Sequence, residues 1–297
     1  MGIGSFWTPD RSVDELKPRW GQPPSQFIEL DGMQVHLRDE GPTDDPTPIV
    51  LIHGTGSSLH TWDGWAERLR GEHRVVRFDR PGFGLTGPNP TGDYSMGYYA
   101  GFVARLLDRL GIRRVILVGL SSGGCVAWHV ALASPDRVDR LVLIAASGYP
   151  RETPLSFGFR LAQSRIFGPL LSQILPRSLV ESSVKNVYGD PGKVTPEIVD
   201  RNYEITLRAG NRAALGATLR QAQEGVDAPA IRRITVSTLI LWGDRDTVVP
   251  PAHAGRFHGD IPGSEVVMFP GLGHLPNEED PDVTTAAFQR FLGAGSR

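Results

Sequence analysis

An unbroken apolar run, Val115-Ile116-Leu117-Val118, passes without a linker into Gly119-Leu120-Ser121-Ser122-Gly123, after which Cys125, Val126, Ala127 and Trp128 take up a helical pattern. A short, largely β-branched run suits a strand covered on both faces, as in a parallel sheet. The glycines at 119 and 123 stand two positions either side of Ser121, where side chains would collide if the backbone reversed this tightly. A strand, a reversal with serine at its apex and a helix leave few folds open. A glycine-rich turn whose serine only caps a helix is the plainer alternative, and the rest of the chain decides between the two.

Strand and helix patterns alternate around this point. Residues 26–30 and 33–38 flank Asp31-Gly32, which favours a tight hairpin and sets a strand pair at the sheet edge. Apolar runs at 49–52, 74–78, 141–145, 238–242 and 265–269 read as further strands. Helical stripes lie between them: Trp62, Trp65 and Leu69; then Tyr99, Val103, Leu106, Leu107 and Leu110, closed by Gly111. The last helix, 281–292, is expected to bury Val283, Ala287, Phe288, Phe291 and Leu292. This alternation predicts an α/β fold with a mostly parallel, doubly wound sheet of about eight strands. Between 149 and 227 it stops. Thr195-Pro196-Glu197 opens a helix there and another is expected over 211–223, so the segment reads as a helical insertion. The expected division is an N-terminal arm over 1–25, lying on the surface with Trp7 and Trp20 as anchors, a core of 26–148 and 228–297, and the insertion at 149–227.

Composition narrows the function classes. A chain of 297 residues with 40% hydrophobic and 22% charged residues can bury one large core. Its formal net charge of -2 supplies no field for nucleic acid or an anionic membrane. No run approaches the roughly 18 apolar residues of a spanning helix. The start lacks the regions of a signal peptide, and Phe6 breaks the myristoylation pattern, so a cytoplasmic location is expected. One cysteine, Cys125, excludes an internal disulfide and a cysteine metal cage, and reads as a small buried hydrophobe.

The pentapeptide at 119–123 is the G-x-S-x-G nucleophile elbow, and with it the sequence resembles the α/β-hydrolase superfamily, in particular its esterase-like members with a serine nucleophile and a helical cap. The resemblance implies the chain order Ser, acid, His on loops after separate strands. Ser121 is then the nucleophile. Asp246, three residues after Gly243 in Gly243-Asp244-Arg245-Asp246, is the acid, with Asp244 a rival and plain turn chemistry the duller reading. The superfamily's other place for the acid reads Ala145-Ala146-Ser147, with no carboxylate. His274, in Gly271-Leu272-Gly273-His274, is the base. The oxyanion donors are the backbone N–H of Ser122 and, through the His53-Gly54 motif, that of Thr55. His53 is expected to brace its loop and Asp79 to be structural, while His36, His60, His73, His129, His253 and His258 lack metal-ligand spacing and read as solvated or packed. The insertion corresponds to what the superfamily calls a cap or lid, whose Phe157, Phe159 and Phe167 would suit an apolar substrate group.

Carboxylic-ester hydrolysis through an acyl-enzyme, on a small-molecule ester and with no metal or organic cofactor, is the expected activity. Other readings stay open. Carbon-carbon bond hydrolysis and cofactor-free perhydrolysis use the same fold; an aromatic residue often follows the histidine in the former, where this chain has Leu275-Pro276. Dehalogenases and epoxide hydrolases carry aspartate at the elbow, which Ser121 argues against. A non-catalytic ligand-binding protein on a hydrolase fold is the rival of another class. A dinucleotide fold built on Gly54-Thr55-Gly56 and Asp79 lacks its third glycine, since Leu59 stands there, and leaves Ser121, Asp246 and His274 without a role.

Overall fold

The computed structural model describes residues 8–152, 154, 157–164, 173–223 and 225–294. Helix α1 (Val13–Trp20) precedes the hairpin of β1 (Ser25–Leu30) and β2 (Met33–Glu40). Asp31 and Gly32 turn the hairpin at φ of 54° and 75°, backbone angles that an Asp-Gly pair tolerates. Alternation follows through β3 (Ile49–Ile52), α2 (Asp63–Leu69), β4 (Val75–Phe78), α3 (Met96–Arg109), β5 (Val115–Leu120), α4 (Ser122–Ala133) and β6 (Val138–Ile144). Four described helices then intervene, α5 (Phe157–Gln163), α6 (Arg177–Val187), α7 (Pro196–Thr206) and α8 (Asn211–Gln221). The chain returns to the sheet with β7 (Ser237–Gly243), α9 (Ala252–Asp260), β8 (Glu265–Phe269), the short α10 (Pro276–Glu279) and α11 (Pro281–Ala294).

The eight strands lie in the order β1-β2-β4-β3-β5-β6-β7-β8, with β1 at one edge and antiparallel to β2, β2 antiparallel to β4, and all later neighbours parallel. Every residue of β3, β4 and β5 is buried, as strands covered by helices on both faces must be. This arrangement sends the carboxyl ends of β3 to β8 to one side, where α/β sheets hold their ligands. The four helices between β6 and β7 belong to that side as well, since they line the cavity described below.

One expectation needs correction. In α11 the buried face runs through Thr284, Ala287, Phe288 and Phe291, while Val283 is 44% exposed. Thr284 can be buried because its hydroxyl donates to the Asp280 carbonyl (2.8 Å) and accepts from Trp65 Nε1 (2.9 Å), beside Phe288 packed on Trp65 at 5.2 Å between ring centroids. The arm carries a helix that the sequence reading did not name, with Trp20 as its anchor. Ser12 and Glu15 close a capping box at the start of α1, and Leu16 and Trp20 are buried. Trp20 Nε1 donates to Glu204 of α7 at 2.7 Å, and Arg19 reaches Glu204 (2.9 Å) and Asp200 (3.1 Å). Trp7 lies outside the described residues. Among the described residues no helix is long and apolar enough to cross a membrane.

Candidate active site

The turn between β5 and α4 is held open by the two glycines. A Cβ on Gly119 would lie 2.3 Å from the Gly123 carbonyl oxygen, and one on Gly123 would lie 2.3 Å from that of Ile52. Ser121 adopts φ 55° and ψ -123°, a conformation costly for a residue with a side chain, on the order of 1–3 kcal/mol. Its backbone is pinned to the end of β6: its N–H donates to the Ile144 carbonyl (2.9 Å) and its carbonyl accepts from Ser147 N–H (3.0 Å). The surrounding sheet therefore over-determines a strained serine.

Asp246 follows β7 and His274 follows β8, and adjacency of those strands brings the two together. His274 Nδ1 stands 2.8 Å from Asp246 Oδ2, with both residues buried. The other carboxylate oxygen accepts from the backbone N–H of Val248 (2.8 Å) and Val249 (3.0 Å), which fixes the carboxylate plane. Asp244, the rival acid, is exposed and instead accepts from Gly271 N–H at 2.7 Å. The imidazole loop is also tied to the helices across from it, since His274 N–H donates to the Val187 carbonyl at 2.8 Å. Glu279 accepts from Gly273 N–H (2.7 Å) and Gly189 N–H (2.9 Å), and burial pushes its pKa up. Glu278 receives Arg201 (2.5 Å), the Tyr188 hydroxyl (2.7 Å) and Thr61 (2.5 Å).

Thr55 and Ser122 face each other, with Thr55 Oγ1 2.8 Å from Ser122 Oγ. Ser122 opens α4, so its N–H belongs to the helix end whose donors have no intrahelical acceptor. His53 is wholly buried and braces the loop: Nδ1 is 2.8 Å from the Gly54 carbonyl, while Nε2 accepts the Arg80 backbone N–H at 3.0 Å. These partners make Nδ1 the protonated nitrogen, and burial, with the Arg80 charge nearby, pushes its pKa down to about 3. Asp79 accepts from the N–H groups of Leu59 and Leu85, both at 2.7 Å, and lies 2.6 Å from His36 Nδ1. Burial opposes its charge, but His36 holds the carboxyl well below the usual range.

Ser121, His274, Thr55 and Ser122 all line one cavity of about 730 Å³ between the carboxyl ends of the strands and helices α5 to α8. Phe159 lines it too, with its ring against Gly56, 3.6 Å from where a Cβ would stand. Phe167 and the side chain of Phe157 lie outside what is described. Cys125 is half-buried on the cavity wall rather than wholly buried in the core, 3.7 Å from His129 Nδ1. Arg80, Glu278 and Glu279 were not singled out from sequence, since no motif marks them. Among the described residues no group of three or more His, Cys, Asp or Glu could hold a metal ion.

Residues 49–287 match the Alpha/beta hydrolase family. A protein of Mycobacterium tuberculosis is 32% identical over 95% of this chain and 84% of its own length. The 2-hydroxy-6-oxo-2,4-heptadienoate hydrolase of Pseudomonas putida is 31% identical over 82% of this chain and 87% of its own. Among solved structures, a thermophilic esterase from Thermogutta terrifontis superposes with a TM-score of 0.74 at 26% identity, covering 91% of this chain and 97% of the other. A match that spans most of the chain, on a sheet of this order, settles the assignment: the protein belongs to the Alpha/beta hydrolase family.

Proposed function

We propose that the protein is a serine hydrolase of carboxylic esters. The observation that carries this reading is a strained Ser121 on the same cavity as His274, whose imidazole is oriented by the buried Asp246. A serine hydroxyl needs a base that is itself held in one tautomer. Asp246 Oδ2 on Nδ1 leaves Nε2 to take the proton of Ser121 as it attacks the ester carbonyl. The tetrahedral oxyanion is received by the N–H groups of Thr55 and Ser122. His274 then protonates the leaving alcohol, and water attacks the acyl-enzyme by the same route. In this reading α5 to α8 form a lid, and Phe159 presents an apolar surface to the substrate. The name of the Thermogutta terrifontis relative supports ester chemistry.

The Pseudomonas putida relative, named as a hydrolase of an oxo-dienoate, favours a second reading, cleavage of a carbon-carbon bond next to a ketone. Both chemistries use the same nucleophile, so substrate choice separates them. The test is reaction with a fluorophosphonate and mapping of the labelled peptide, alongside p-nitrophenyl esters and a vinylogous 1,5-diketone acid. Label on Ser121 with ester turnover supports the first reading; turnover of the diketone alone supports the second. Ser121→Ala is expected to lose ester hydrolysis on the order of 10⁶-fold and all labelling.

A further inference from the structure

Arg80 is 1% exposed and yet lines the cavity that holds Ser121. Its Nη2 donates to Ser122 Oγ at 2.9 Å, while Nε is buried with no hydrogen-bond partner. Among the described residues it has no carboxylate partner. The other charges on this wall differ. Arg201 is paired with Glu278 at 2.5 Å and Arg212 with Asp10 at 2.5 Å. The guanidinium carbon is 5.1 Å from the ring of Phe83 and 5.0 Å from that of Tyr99. Such contacts return only part of the hydration that a buried cation gives up. A cation so placed, with Nη2 on a neutral hydroxyl and Nε unpartnered, is a receptor for an anion that no described residue supplies.

We infer that Arg80 forms an anion subsite of the cavity, which takes a carboxylate or phosphoryl group carried by the substrate a few bonds from the scissile carbonyl. The guanidinium fork matches the two oxygens of either group. Its hydrogen bond to Ser122, the neighbour of Ser121, places the bound anion close to the reacting centre. A neutral ester of equal length leaves the buried charge unpaired and is the poorer substrate. This inference deepens the ester-hydrolase reading and rests on it for the reaction, though not for the binding.

The kinetic test compares mono-p-nitrophenyl glutarate with p-nitrophenyl pentanoate, which match in chain length. The wild-type enzyme is expected to favour the anionic ester in kcat/KM by about 10- to 100-fold, as for a hydrogen bond to a charged group. R80Q should abolish that preference, and R80K, which keeps the charge without the fork, should retain part of it. The binding test is calorimetry of wild-type, R80Q and R80K with glutarate and, separately, with inorganic phosphate. Glutarate or phosphate bound by the wild type and at least tenfold weaker in R80Q supports the subsite, and whichever binds identifies the group. If neither anion binds, or R80Q binds and discriminates as the wild type does, the inference is overturned. If no ester is turned over but an anion still binds through Arg80, the ester reading fails and the subsite stands.

Discussion

Ser121 pays for its place in the turn with a positive φ, and Gly119 and Gly123 exist to let the chain pass it. Relief of that strain should show in stability. Ser121→Gly is expected to be more stable than Ser121→Ala by about 1 kcal/mol in urea denaturation, because only glycine accepts this conformation freely. Equal stabilities would mean that the turn is not strained. At Asp246 the expectation is functional: Asp246→Asn keeps the shape but loses the charge that holds the imidazole tautomer, and kcat on esters should fall about 10⁴-fold. Position 121 stood out through the glycines of its turn, and 246 and 274 were named through the resemblance to the hydrolase superfamily; the structure brings the last two together at 2.8 Å. Arg80 was not legible, since nothing in Asp79-Arg80-Pro81 tells that a guanidinium will be enclosed by Phe83, Tyr99 and a cavity wall.

Among the elements, α1 shows where reading a sequence stops. Its capping box, Ser12 to Glu15, is a local signal, yet the acceptors of its terminal tryptophan and arginine, Glu204 and Asp200, lie about 180 residues away on α7. Pairings of that range depend on packing that no short window contains. Trp20→Ala removes a buried ring and takes one of its donors from Glu204, which keeps Arg19, so a loss of about 3 kcal/mol is expected in thermal or chemical unfolding, most of it from the ring. Helix α11 makes the same point at a finer grain. A stripe counted from Val283 and one counted from Thr284 differ by a single step of rotation, and the partner Trp65 Nε1 decides for the threonine. The strands, by contrast, were read to within a few residues, because an apolar run bounded by glycine and proline has little freedom to be anything else.

The whole molecule carries several charge-bearing groups in its interior, and three of them, His53, His60 and Asp79, act in one direction on acidification, against the raised carboxyl of Glu279. His53 and His60 are buried with pKa values pushed down to about 3, so the folded chain holds them neutral while the unfolded chain protonates them from about pH 6.5 downward. The unfolded state therefore binds more protons over that window, and stability falls as pH drops from about 6.5 towards 3. Asp79, held ionised, adds stability above its unfolded value of about 4 that is lost below it. Each group can contribute up to about 1.4 kcal/mol per pH unit within its window. Urea midpoints at pH 7.5, 6, 5 and 4 should decline steadily; a midpoint unchanged between 6.5 and 5 would contradict the neutral, enclosed histidines.

The backbone bond from His274 to Val187, with Glu279 clasping Gly189 on the same side, means that the loop of His274 hangs from the roof as well as from the sheet. Swinging that part of the roof aside breaks the backbone bond that carries residue 274. On the proposed mechanism, a gap opened there costs the base one of its two anchors and leaves Asp246 alone to hold the ring.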